Sequence, residues 1–229
     1  MIYGGLQKLT LIDFPGKLAA TIFLSGCNFR CPFCYNPDLV LPEKISSFNE
    51  EEIFSFLNKR KGMLDGVVIC GGEPTIHKDL MQLAKRIKEM GFAVKLDTNG
   101  SDPEILDNLI SRNLIDYIAM DVKAPREKYE ALAGKGIDLQ RIEESIGILK
   151  EERTDYEFRT TVIPLLLEKE DILSITQWIK PAKRYFLQQF RAENNLDPEF
   201  QKLNPYSMEY LIDIKEAIAP FFDVCQVRK

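Results

Sequence analysis

Short apolar runs alternate along this chain with amphipathic stretches, and that alternation is what most limits the folds open to it. Residues 19–25 (AATIFLS) read as a buried strand. A helix follows from about Asn49, with Ile53, Phe56 and Leu57 on one face and Asn49 and Glu52 spaced as a capping box. Residues 66–70 (GVVIC) form the second strand, 77–90 a helix closed by Gly91, and 93–97 the third strand. Helices over 102–112, 139–152, 170–179 and 207–219 then alternate with strands over 117–122, 156–163 and 185–190, Pro164 ending the fifth strand. Residues 223–228 read as a short last strand. No repeat, heptad run or low-complexity stretch breaks the pattern, and six βα units result. Strands separated by helices pair in parallel through right-handed crossovers, as in an open doubly wound sheet or an incomplete (β/α)6 barrel. The polar residues favour the α/β barrel, because Cys27, Glu73, Asp97 and the pair Asp121 and Lys123 fall at the C-terminal ends of four successive strands, the rim where parallel barrels bind ligands.

A chain of 229 residues suits a single domain over 1–229. The formal net charge of −5 argues against a phosphate backbone as partner, since that affinity needs clustered Lys and Arg, so no nucleic acid is expected. The N-terminus lacks a basic leader and no segment is apolar enough to span a bilayer, so the expectation is a cytoplasmic protein with no membrane partner.

Three of the five cysteines stand within eight residues, in SGCNFRCPFCYNPDLV, with the spacing C-x-x-x-C-x-x-C. Such a loop wraps a compact inorganic core with thiolates alone. A structural zinc site closes its tetrahedron with a fourth Cys or His, and none lies nearby; the single histidine, His77, is a strand and a turn away. Three thiolates on a four-iron cluster leave one iron open. Cys70 and Cys225 stand alone and read as small buried hydrophobes, and His77 as a surface or capping residue.

Cys27, Cys31 and Cys34, with Phe33 just before the third, resemble the signature of the radical S-adenosylmethionine (SAM) superfamily. The resemblance implies the radical SAM fold, an incomplete TIM-type barrel, and a [4Fe-4S] cluster whose open iron is chelated by the cofactor's methionine amine and carboxylate. An electron from the cluster then yields a 5′-deoxyadenosyl radical. Gly71, Gly72 and Glu73 resemble the superfamily's GGE motif, the glycines letting backbone approach the ligand and the glutamate accepting from its ammonium. Residues 95–100 (KLDTNG) and 120–123 (MDVK) resemble glycyl-radical-enzyme activases. That implies cofactor contacts at Asp97, Asn99, Asp121 and Lys123, and a monovalent cation held by Asp97, Thr98, Met120 and Asp121. Arg159, within the apolar strand EFRTTVIP, is costly to leave unpaired; it is expected to face a carboxylate inside the barrel, Glu157 or a rim aspartate, and matches a cofactor-contacting arginine of the family. Asn36 matches a further cofactor contact. Gln188 stands where activases place a histidine, and Tyr35 where many relatives carry one.

LTLIDFPGKLAATIFLSGCNFRCPFCYNPDLV is most similar to the longer, pyruvate formate-lyase-activase-like form of the anaerobic ribonucleoside-triphosphate reductase activating proteins. The resemblance holds through Pro164 and thins beyond it, leaving 191–229 as a variable segment behind a cluster loop at 25–37. It implies a glycyl radical enzyme as protein substrate and a flavodoxin- or ferredoxin-type electron donor. The stretch between Cys34 and the second strand has no room for additional clusters, so one is expected. A small-molecule radical SAM reaction, as in 7-carboxy-7-deazaguanine synthase, and a non-enzymatic electron relay are the competing readings.

Overall fold

The computed structural model describes residues 1–41 and 48–229. Residues 42–47, which fall in the stretch read as too short for a second cluster, lie outside the described part. Eight strands form one sheet in sequence order: β1 (Tyr3–Thr10), β2 (Ala19–Leu24), β3 (Gly66–Gly71), β4 (Ala93–Thr98), β5 (Tyr117–Asp121), β6 (Asp155–Val162), β7 (Ala182–Gln189) and β8 (Phe222–Arg228). The pairs from β2 to β8 are all parallel, joined through α1 (Pro37–Val40), α2 (Glu50–Lys59), α3 (Leu80–Glu89), α4 (Pro103–Ser111), α5 (Tyr129–Ala133), α6 (Leu139–Lys150), α7 (Lys169–Ile179) and α8 (Met208–Ile218). The six βα units and the final strand expected from the sequence are present.

β1 is the element the periodicity does not announce. It pairs antiparallel with β2, and its sequence YGGLQKLT has no apolar run because only its two ends, Tyr3 and Thr10, are buried. Helix starts are set by side-chain caps: Asp102 accepts from Ile105 N–H, Asp138 from Gln140 N–H and Ser207 from Tyr210 N–H. Asn49 caps α2 through Glu51 N–H, and among the described residues no bond from Glu52 completes a box. α3 begins at Leu80 rather than His77, since Pro74–Ile76 form a separate 3₁₀ turn that His77 ends. His77, read as a surface or capping residue, caps that turn through its N–H to Pro74 O; it is half-buried, and its Nε2 has no partner among the described residues.

Alternate residues of each strand face opposite sides of the sheet. Ile22, Ile69, Leu96, Ile118 and Phe158 pack outward into the main core with helix residues such as Leu57, Ile87, Leu109, Ile146 and Ile175. Ala19, Val68 and Tyr117 face inward, where Phe14 of the β1–β2 connection packs on them and fills the N-terminal end of the barrel. Gly66 leaves room for that ring, since a Cβ there would come within 2.8 Å of Phe14 Cε1. With one end closed, the polar inward residues of β3 to β7 can gather at the other. Among the described residues no helix is long and apolar enough to cross a membrane.

Candidate functional site

A cavity of 360 Å³ opens at the C-terminal ends of the parallel strands. Cys27, Cys31 and Cys34 enter it from the loop after β2, with Phe33 and Asn36 beside them. Gly71, Gly72 and Glu73 come from the end of β3, Asp97, Thr98 and Asn99 from β4, Asp121 and Lys123 from β5, Arg159 from β6 and Gln188 from β7. Of the residues singled out in the sequence, Met120 stands outside: it is fully buried, on the face of β5 opposite Asp121, and lies so close to Gly100 that a Cβ there would meet Met120 Cε at 2.0 Å. Strand alternation turns the Met120 side chain away from Asp121, so only the Met120 backbone is left to take the place expected for it in the cation set.

No cysteine is in a disulfide. Burial pushes the Cys27 thiol up to about 12 and the Cys31 thiol to about 11, against the bond Cys27 Sγ accepts from Phe29 N–H at 3.3 Å. Such sulfurs give up their protons to a metal rather than to water. Among the described residues no three Cys, His, Asp or Glu side chains converge on a single-ion position. Three soft sulfurs on one cavity wall suit an iron–sulfur core whose irons each take one thiolate. Cys70, read from the sequence as a packing residue, also lines the cavity; burial pushes its thiol up to about 12, and the charge of Asp97 adds to that.

Besides lining the cavity, the two glycines serve the packing of the strand ends. Gly71, at φ +126°, and Gly72 lie against β2: an added Cβ would sit 2.1 Å from Leu24 O at the first and 2.0 Å from Gly26 O at the second. Their bareness lets the β3 end dock on the backbone that leads into Cys27, where Glu73 N–H donates to Gly26 O at 2.8 Å. The Glu73 carboxylate, 1% exposed, is likewise engaged within the chain. Oε1 accepts from Thr75 N–H at 3.0 Å and from the Thr75 and Thr98 hydroxyls at 2.7 Å each, and Oε2 accepts from Asn99 N–H at 2.6 Å. Burial pushes its pKa up, and these four donors act against that shift. Glu73 thus ties the ends of β3 and β4 together while also lining the cavity. Asn99 extends the tie to the cysteine loop, donating from Nδ2 to Asn28 Oδ1 at 3.0 Å.

Behind these residues lies a charged network. Arg159 donates from Nε to Asp121 Oδ1 at 2.8 Å and from NH1 to Asp97 Oδ2 at 3.0 Å, so the arginine expected to meet a rim carboxylate meets two. Lys123 Nζ donates to Asp121 Oδ2 at 2.9 Å, and Lys95 Nζ to Asp97 Oδ1. Glu157, the other partner considered for Arg159, is engaged elsewhere: Tyr117 donates to it at 2.7 Å and Arg228 grips it with two bonds of 2.5 and 2.8 Å. Burial alone would raise the pKa values of Asp97 and Asp121, but Arg159 with Lys95 and Lys123 outweighs it and holds both below the usual carboxylate range. All four carboxylate oxygens thus meet side-chain cations; Lys123 and Arg159 stand on the cavity wall, whereas Lys95 is buried behind it.

Several cavity residues escaped the sequence reading. Asp13, in the β1–β2 connection, reaches the cavity and accepts from Thr21 Oγ1 at 3.3 Å. Thr161 and Tyr35 line it as well. Lys95, which does not line the cavity but bonds to Asp97 on its wall, also escaped; it is 1% exposed, and its signal is the spacing i, i+2 to Asp97 in the apolar strand AVKLDT, which places both on one face.

The model of the Radical SAM superfamily matches residues 21–179. The chain belongs to that superfamily and is a radical SAM enzyme, a family that implies a [4Fe-4S] cluster and S-adenosylmethionine. It is 39% identical over 207 residues to a Methanocaldococcus jannaschii protein named as a glycyl-radical enzyme activating enzyme, covering 88% of this chain and 85% of that one. It is 27% identical over 186 residues to the pyruvate formate-lyase-activating enzyme of Clostridium pasteurianum, covering 76% and 74%. A 7-carboxy-7-deazaguanine synthase of Thermococcus kodakarensis is 28% identical over 183 residues, covering 71% and 69%. These similarities support the activase group.

Proposed function

We propose that this enzyme activates a glycyl radical enzyme, removing a hydrogen atom from the Cα of one glycine in that partner. The observation that carries the reading is the 39% identity across nearly the whole chain to an activating enzyme, against 28% over a shorter span to the small-molecule enzyme. The resemblance of the first forty residues favours anaerobic ribonucleoside-triphosphate reductase as the partner.

Cys27, Cys31 and Cys34 hold the cluster in this reading. When bound, cluster and S-adenosylmethionine supply one-electron cleavage of the sulfonium and a carbon radical able to take a hydrogen atom. The chain's own residues bind and orient. Phe33, Asn36, Gly71, Gly72, Asn99 and Gln188 shape the cavity wall around the cofactor, and Lys123 and Arg159, the two cations on that wall, suit its methionine carboxylate. Glu73 keeps Thr98 and Asn99 in place beside it. A monovalent cation at Asp97 and Asp121 would first have to displace one of the three side-chain cations. The electron comes from a low-potential donor of flavodoxin or ferredoxin type, and the protein works in the cytoplasm.

The test is to reconstitute the chain anaerobically, reduce it, and add S-adenosylmethionine with a glycyl radical enzyme deuterated at its glycines. Deuterium in the 5′-deoxyadenosine, together with a glycyl radical signal on the partner, is the expected result. Deoxyadenosine free of deuterium would refute the activase reading. Cys31→Ala should lose iron and cofactor cleavage while keeping the barrel's circular dichroism.

A further inference from the structure

The segment that follows β7, which the sequence leaves as a variable tail, lies across the second half of the cysteine loop and satisfies four consecutive carbonyls there. Pro32 O accepts from Asp197 N–H at 2.9 Å and Cys34 O from Leu196 N–H at 3.0 Å. Between and beyond them, Phe33 O accepts from Asn195 Nδ2 at 3.0 Å and Tyr35 O from Asn194 Nδ2 at 3.4 Å. Tyr35 answers from the loop side. Its hydroxyl accepts from Arg191 N–H at 3.0 Å and donates to Gln189 O at 3.4 Å, and its ring lies 6.5 Å from that of Phe190.

Asn195 is the centre of this contact. It is 4% exposed, and the same Nδ2 that holds Phe33 O also donates to Arg191 O at 3.2 Å, so one amide group fastens the segment to the loop and to itself. Asn194, at φ +51°, makes the left-handed turn that Asn tolerates better than most residues and so presents both amides to the loop. The first half of the loop is held by other means: Arg30 N–H donates to Ala133 O at the end of α5, and the Arg30 side chain donates to Cys27 O and Phe29 O at 2.6 and 2.8 Å. Cys34 therefore depends on the 189–197 segment for its backbone position in a way that Cys27 does not.

We propose that residues 189–197 form a belt that fixes Cys34 for cluster binding, with Asn195 and Tyr35 as positioning residues. The proposal rests on the three cysteines being the cluster ligands. A carbonyl held at each of four successive residues leaves the loop little freedom, so the sulfur is presented without an ordering cost when iron arrives. Groups that orient metal ligands in this indirect way change metal affinity by roughly 10- to 100-fold when removed.

The experiment compares wild type, Asn195→Asp and Tyr35→Phe. Each variant keeps its side chain's size; Tyr35→Phe removes the hydroxyl alone, and Asn195→Asp replaces the amide donor with a carboxyl group that turns an acceptor toward the Phe33 and Arg191 carbonyls. In the metal-free chains, hydrogen exchange at the Leu196 and Asp197 amides should rise selectively in Asn195→Asp while the exchange of β3 to β6 stays unchanged. In reconstituted protein, anaerobic transfer of iron to a chelator should be about 10-fold faster in both variants, and the reduced cluster's paramagnetic resonance signal should shift. Iron loss at the wild-type rate with unchanged amide exchange would overturn the belt. If Asn195→Asp fails to fold, Tyr35→Phe decides the matter on the same readouts. A wild type that holds no iron would remove the cluster reading itself and the belt's role with it, whereas a wild type that holds iron but yields no glycyl radical leaves the belt standing and refutes only the activase reading.

Discussion

Glu73→Gln separates two views of the buried carboxylate. Gln has the same shape, so no cavity forms, but one of its two polar atoms must become an NH₂ group. Turned toward Oε1, that group faces three donors, Thr75 N–H and two hydroxyls; turned toward Oε2, it faces Asn99 N–H at 2.6 Å. The second orientation costs less because it opposes one donor. It still loses a hydrogen bond to a charged acceptor and leaves a buried amide unpaired, together about 3 kcal/mol. Relief of the carboxylate's desolvation, the cause of its raised pKa, offsets part of this, so the expected net loss is about 2 kcal/mol. In urea unfolding of the metal-free chain this moves the midpoint down by about 0.7 M for a slope of about 3 kcal/mol/M. The same variant should bind S-adenosylmethionine more weakly only to the extent that Thr98 and Asn99 shift. A midpoint within about 0.2 M of wild type, with cofactor affinity reduced tenfold or more, would show that the carboxylate's main partner is the ligand's ammonium group and not the chain.

Gly72→Ala places a methyl group 2.0 Å from Gly26 O, a backbone atom that cannot swing aside, so the variant should lose about 3 kcal/mol or more in urea unfolding; wild-type stability would show that the β2 and β3 ends are less closely packed than the structure has them. Asp97 and Asp121 have folded pKa values below the unfolded value, so the stability they contribute is complete above the ordinary carboxylate range near about 4 and is lost as pH falls through their folded values. The urea midpoint of the metal-free chain should therefore stay level in this respect from pH 6 to about pH 5 and drop from there to pH 3. Asp121→Asn should flatten that slope, and an equal slope in the variant would argue against the network as its source.

Cys27, Glu73, Asp97, Asp121 and Lys123 were legible as lining of one cavity, because each is a polar or thiol group at the C-terminal end of an apolar run, and strand period together with parallel pairing sends such ends to one rim; Arg159 was legible through the cost of an unpaired guanidinium inside an apolar strand. Their partners were less legible. Whether Arg159 meets Glu157 or the rim aspartates depends on register and on strand twist, and Glu157 is claimed by Arg228 from a strand only weakly marked in the sequence. β1 was missed because an edge strand buried at its two ends alone carries no apolar period.

Sequence by itself determined the order of strands and helices, the chemistry of the donor set and the end of the barrel where it gathers, since these follow from local periodicity and chirality. The tertiary structure decided what each group is free to do. Glu73 meets Thr75, Thr98 and Asn99, Gly71 and Gly72 lie against the β2 backbone, and the carbonyls of the cysteine loop meet a segment about 160 residues further along the chain, as in the Phe33–Asn195 bond. Hydrogen-bond donors and acceptors are satisfied by whatever folding brings within about 3 Å, and that proximity between distant segments has no signature in local sequence.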